Sequence, residues 1–191
     1  MAKVVGPLFS LDARNKLGNA LVFIGWKGIK DVRQWLKPAQ PRTGKQGDVR
    51  QILGGLGRAC KPADPTKYYV TEAKKVAPAQ QSWISRFVQY MRTTYMSDAT
   101  AYQAILSDYE AHTAKSAFDT TAAQLGLTDF NILYANIEGP FPAGLMLYCL
   151  ALYAIDCHKT NPLVFNKTPY TKDIANWTAD DVATLKTDLV G

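Results

Sequence analysis

The residues able to do covalent or metal chemistry are few: His112 and His158, with Cys60, Cys149 and Cys157. Cys157-His158 together with Cys149 makes a partial metal set. Zinc sites in small domains join two short-spaced ligand pairs, and here one neighbouring pair has no second to meet it. Sequence neighbours on a helix also point in different directions, so they do not converge on one ion. The set therefore reads as core cysteines beside a surface histidine, with no metal and no cofactor. Gly55-Leu56-Gly57 has two glycines of a dinucleotide fingerprint but lacks the third and the strand that must precede it. The sequence carries no Gly-x-Ser-x-Gly elbow, no phosphate-binding loop ending in Lys-Ser/Thr and no His-Glu-x-x-His. Asp180 and Asp181 are adjacent carboxylates at a helix start, where the macrodipole favours them. No general-acid/base pair is visible, and the chain reads as one that acts by contact, without enzymatic activity or a small-molecule substrate.

Contact chemistry is concentrated near the front. Lys16, Lys27, Lys30, Arg33, Lys37, Arg42, Lys45 and Arg50 alternate with Phe23, Trp26 and Trp35. Residues 1–75 hold 15 Lys/Arg against 5 Asp/Glu, a balance of +10; residues 76–191 hold 7 against 11, a balance of −4; the two sum to the net +6. A basic arm on a mildly acidic body reads in two ways: the arm meets an acidic partner, either a nucleic acid or the face of a neighbouring subunit, or it lies on its own acidic body. Basic residues interleaved with aromatics suit a phosphate backbone and stacked bases, and the same tryptophans serve as covers for a hairpin face. With 3 cysteines, no disulfide framework is expected. Met1–Ser10 does not read as a signal peptide. The most apolar window, Ala143–Ile155, falls short of the roughly 20 residues a membrane helix needs, so no membrane is expected.

The elements that must position these residues fall into two kinds. Residues 1–15 read as extended, because Gly6-Pro7 blocks a helix and the apolar residues show no single period. Ala20–Trp26 and Ile29–Leu36, separated by Lys27-Gly28, predict a β-hairpin. Leu21–Ile24 is apolar on both alternating faces, so that strand needs cover on both sides. Pro38 and Pro41 impose an extended exit. Thr43 and Gln46 have capping-box spacing, predicting a helix over 43–60 that its glycines weaken, so many of them pointing either to close backbone approach to a partner element or to an early end near Gly54. Asp64 before Pro65 predicts a capped helix to Val76. Trp83, Phe87, Tyr90 and Met91 make a clear helical stripe, with Arg86 and Arg92 facing outward. Ser97 is expected to cap the next helix, striped by Tyr102, Ile105, Leu106 and Tyr109. A shorter helix is expected over 119–125, closed by Gly126. Residues 128–138 fit a buried helix or a strand equally. Ala143–Asp156 is apolar nearly all round, so it is either the centre of the body or covered by a partner. Thr178 to Asp181 has capping-box spacing, with Trp177 and Val182 placed as a staple.

Lys16-Leu-Gly-Asn-Ala-Leu-Val-Phe, Trp26-Lys-Gly, Val32-Arg33, Pro38-Ala-Gln-Pro-Arg-Thr43, Gln46 and Arg50 together resemble a module of small virion structural proteins of tailed bacteriophages and prophages. The resemblance covers about the first third of the chain and implies a non-enzymatic particle component, located in the virion after synthesis in a host cytoplasm. The sequence thus predicts a mainly α protein: a basic arm over 1–60, with an extended segment, a β-hairpin and the first helix, followed by a helical body over 61–191. Partner contacts are expected at Lys16, Phe23, Trp26, Lys27, Lys30, Arg33, Trp35, Arg42, Lys45 and Arg50. The expected partners are other virion subunits at the capsid surface or head–tail junction, in a homo- or hetero-oligomer, reached by residues 1–45 lying across a neighbour. Nucleic acid is the alternative.

Overall fold

In the computed structural model the described residues are 15–17, 21–26, 29–34, 44–127 and 141–191; the strands, Lys45 and Asp48 are described by backbone alone. The chain divides into two units, Met1–Pro41 and Arg42–Gly191. In the first, β1 (Asn15–Leu17), β2 (Leu21–Trp26) and β3 (Ile29–Gln34) pair antiparallel in sequence order. Lys16 lies opposite Val22, and Val22 opposite Arg33. The expected extended arm, the break at Lys27-Gly28 and the covering of the strand faces lie outside the described residues.

The second unit is helical. Its elements are α1 (Gly44–Ala59), α2 (Tyr68–Val76), α3 (Trp83–Thr94), α4 (Ala99–Ala111), α5 (Lys115–Gln124), α6 (Ala143–Thr160) and α7 (Ala179–Leu189), with a 3-10 turn at Ile174–Asn176. The organising element is α6. Twelve of its residues are buried, from Gly144 to Cys157, and α1, α2, α3, α4, α5 and the 3-10 turn pack around it. Its all-round apolar surface is therefore covered within the chain. Each fully buried Leu or Ile there contributes about 1.5–3 kcal/mol by leaving water. Residues 128–138, whose sequence fits two conformations, lie outside the described residues.

The first helix sits with the body. Ile52, Leu56, Ala59 and Cys60 are buried, and α1 packs on α3 and α6. The break between units falls after Pro41, not after Cys60. Its glycines do not end α1 early, because burial of the apolar stripe outweighs their propensity cost. At Gly55 the reason for glycine is steric: a Cβ would lie 2.8 Å from the Met146 methyl and 3.2 Å from the Phe141 ring. The Gly55-Leu56-Gly57 triplet is mid-helix, so it is not a phosphate-cradling loop.

Local starts and stops depart from expectation in three places. Asp64 does not cap α2; its carboxylate accepts from the Thr66 amide at 2.8 Å and the Thr66 hydroxyl at 2.7 Å, closing a turn one residue ahead of the Lys67 cap. Asp98, not Ser97, caps α4, accepting from the Ala101 amide at 2.9 Å. The fifth helix starts at Lys115, four residues before its expected beginning, because Phe118 and Ala122 both reach the core. Gly126 closes it with φ +69°, and Thr178 with Asp181 forms the capping box of α7.

Candidate functional site

A polar cluster of the helical body lies where α3 meets α6. Asp156, near the end of α6, accepts from the Tyr90 hydroxyl at 3.0 Å and the Tyr95 hydroxyl at 2.5 Å, both on the same carboxylate oxygen, Oδ2. Tyr90 comes from the stripe of α3, and Tyr95 follows at its C-cap. Their rings and that of Tyr153 are mutually inclined: Tyr90 and Tyr153 are 5.4 Å apart at 66°, and Tyr90 and Tyr95 are 6.3 Å apart at 60°. A cavity of about 290 Å³ opens beside them, lined in part by Lys75, Arg86, Tyr90, Tyr153, Asp156 and Cys157. Lys75 is held by Glu72 at 2.5 Å. Arg86 makes no ion pair among the described residues; its guanidinium acts instead on the neighbouring Tyr153 and Cys157. The outward-facing Arg86 expected from the stripe is thus half-buried against this cluster. Arg92 is likewise half-buried, with its Nη1 shielded and without a hydrogen-bond partner among the described residues.

Burial holds the phenols and thiols of this region in their neutral forms. Burial, and then the hydrogen bond to Asp156, pushes the Tyr90 phenol up to about 12. The same two causes raise Tyr95 further. Burial pushes the Cys157 thiol up to about 11 despite the opposing pull of the Tyr153 hydroxyl and Arg86. Cys60 and Cys149 are raised more, by burial alone. A nucleophilic cysteine needs thiolate at neutral pH, and these positions suppress it. Among the described residues, no group of three or more Cys, His, Asp or Glu side chains is placed to hold a metal ion. His112 is spoken for: its Nδ1 accepts from the Ala114 amide at 2.9 Å, so Nε2 carries the proton donated to the Ile174 carbonyl. No described helix is long and apolar enough to cross a membrane.

Two other cavities lie on the body. One, of about 590 Å³, runs between α5 and α7 and is lined in part by Ser116, Thr120, Thr121, Lys186 and Thr187. Its Thr120 and Thr187 hydroxyls donate to carbonyls of their own helices, at 2.8 and 3.1 Å. The other, of about 440 Å³, lies among α1, α3 and the start of α4, with Val49, Ile52 and Arg92 on its walls.

Of the ten residues expected to make partner contacts, Arg50 alone has a described side chain, half-buried on α1. Lys16, Phe23, Trp26, Lys30 and Arg33 are placed by strand backbone, and Lys45 by helix backbone. Lys27, Trp35 and Arg42 lie outside the described residues, as does any convergence of the ten on one surface. The Asp156 cluster was missed by sequence reasoning, which put Tyr90 in the core stripe and Arg86 outside. One signal was available: the acid that follows the thirteen apolar-to-small residues Ala143–Ile155 sits on a helix with no exposed face, so it must find donors. Compared with protein-family models, with curated proteins and with solved structures, this chain matches none.

Proposed function

We propose that this chain is a non-enzymatic bacteriophage virion structural protein that binds other capsid or head–tail subunits through its basic N-terminal segment. The observation that carries the reading is the distribution of charge across the two units. Residues 1–41 hold 7 Lys/Arg and 2 Asp/Glu, a balance of +5; residues 42–191 hold 15 and 14, a balance of +1; the sum is the chain's +6. Once the first helix is counted with the body it packs into, that body is nearly neutral. A nearly neutral body supplies little net acidic complement for the segment ahead of it, so the partner is sought on another molecule. An extended segment and three short antiparallel strands over 1–41 would deliver these charges to a neighbour, and so small a sheet gains stability from what its apolar face lies against. The resemblance of Lys16–Arg50 to a module of tailed-phage virion proteins supports the particle as the setting.

The test is particle incorporation. Particles from a host strain carrying the gene are purified and their proteins identified by mass spectrometry, for the full chain and for a version lacking residues 1–41. The reading expects the full chain in the particle and the shortened one left in the lysate. Absence of the full chain from particles, or equal incorporation of both, overturns it. Nucleic-acid binding is the second reading, favoured by the interleaving of Phe23, Trp26 and Trp35 with the basic residues. A gel shift across a salt series separates the two, because phosphate neutralisation makes log affinity fall with log salt at about 0.9 per contact on duplex DNA.

A further inference from the structure

We propose that the cavity beside Asp156 binds a small zwitterion, an α-amino acid, with its carboxylate on Arg86 and its ammonium on Asp156. The cavity holds opposite charges that do not neutralise each other. Among the described residues, Arg86 and Asp156 line the same space without forming an ion pair. The carboxylate is kept in place by two tyrosine hydroxyls at 3.0 and 2.5 Å, both on Oδ2. Its other oxygen, Oδ1, receives no hydrogen bond from a described residue. A carboxylate oriented this way, with one oxygen left over, is an acceptor for an ammonium.

The cation side is also built. Lys75 is engaged by Glu72, which leaves Arg86 as the cavity's cation that no described carboxylate claims. Arginine is the side chain whose planar fork matches a carboxylate with two parallel hydrogen bonds. Behind it, Tyr153 is 1% exposed, and its hydroxyl is buried without a hydrogen-bond partner. The Cys157 thiol lies within its reach, and sulfur is a weak partner. At about 290 Å³ the space is at the small end for ligand sites, which limits the occupant to a compact molecule. A plain anion would leave Asp156 facing it, and a plain cation would face Arg86 and Lys75; a molecule bearing both charges satisfies both walls. The residues of the site all belong to the helical unit, and the proposal does not depend on the particle reading.

Isothermal titration of the full chain with L-alanine tests this, with acetate and methylammonium as single-charge controls. L-Alanine is expected to bind, and each control to bind roughly tenfold more weakly or worse, since each forgoes one charged hydrogen-bonding partner. Arg86→Gln, at a half-exposed position, keeps the tyrosine–Asp156 contacts and is expected to lower L-alanine affinity roughly tenfold or more. Asp156→Asn is expected to do the same; circular dichroism reports whether that variant is folded, and Arg86→Gln decides the matter if it is not. Failure of L-alanine to bind the wild-type chain, acetate binding as tightly as L-alanine, or unchanged affinity in Arg86→Gln each overturns the proposal.

Discussion

Four aspartates of the helical body each take at least one tyrosine hydroxyl: Asp108 from Tyr148, Asp119 from Tyr109, Asp156 from Tyr90 and Tyr95, and Asp188 from Tyr170. Each bond ties a polar edge of the core to a ring that is itself buried or half-buried. Burial first, and the carboxylate second, raises Tyr90, Tyr95, Tyr109 and Tyr148; burial alone leads for Tyr69 and Tyr102. The consequence for stability has a definite sign. Below pH 10 these phenols are protonated in both folded and unfolded chains, and their contribution is intact. As pH rises past the unfolded value of about 10, the unfolded chain loses protons that the folded chain keeps, and stability falls. Ultraviolet titration of tyrosinate is therefore expected to show little ionisation in the native chain at pH 10, followed by a cooperative rise as the chain unfolds at higher pH. Gradual, non-cooperative ionisation centred on 10 is the contrary result. A second prediction concerns Gly144, in the first turn of α6. A Cβ there would overlap both the Tyr109 hydroxyl and the Asp119 carboxylate. Gly144→Ala forces that pair apart and is expected to cost about 1–3 kcal/mol, the usual penalty of overpacking, read by urea unfolding. A variant as stable as wild type would show that the pair yields without loss.

Among the elements, α7 shows how a short helix is fixed at its start. Asp181 accepts from the Thr178 amide at 2.7 Å and the Thr178 hydroxyl at 3.1 Å, and Lys172 reaches it at 2.6 Å. Burial pushes the Asp181 carboxyl up, but Lys172 and Thr178 together outweigh it and hold the group below the usual carboxylate range. A lowered folded value means the contribution is complete above the unfolded value of about 3.9 and is lost as pH falls through the folded one. Replacing Thr178 by Ala is expected to cost about 1 kcal/mol. Asp181→Asn should flatten the fall in stability below about pH 4; an acid limb identical to wild type would remove Asp181 from that role. This cap was legible in the sequence because Thr178 and Asp181 lie three residues apart; Lys172, nine residues back, was not part of that signal. The stripes of α1, α3 and α6 were legible too, since helical periodicity is a local property. The start of α5 was not: Lys115–Phe118 carries its apolar residues only at its end, and it is packing against α6 and α7 that draws them in. Nor was the Asp156 cluster, whose donors sit 61 and 66 residues away in sequence. A lone acid on a helix announces that it needs donors without saying which element brings them. Asp98 beside Ser97 is the limiting case, two good caps side by side, where only the backbone conformation chooses.

For the molecule as a whole, the decisive feature is that the helical unit closes on itself. One contiguous core runs from Ile52 on α1 through α6 to Leu189 on α7, and it includes Trp83, Phe87, Tyr109, Phe118, Phe165 and Trp177. Every flank of α6 that the sequence left open to a partner is taken by a helix of the same unit, so its apolar character is no argument for assembly. The segment before Arg42, with its +5 balance over 41 residues, belongs to the other unit. This separation makes a prediction that concerns folding alone. A chain of residues 42–191 retains α1 entire, and with it the buried face that α1 presents to α3 and α6. It is expected to give the helical circular dichroism of the parent body and a cooperative thermal transition within a few degrees of the full chain's; by the size scaling of small domains, about 1 kcal/mol corresponds to roughly 2–8 °C. Cutting instead after Cys60 removes Ile52, Leu56 and Ala59 from the core. Large-to-nothing losses of buried residues cost about 2–5 kcal/mol each, so a 61–191 chain should melt far lower or fail to fold. If 61–191 proves as stable as 42–191, α1 is dispensable to the core and the boundary belongs after Cys60 after all.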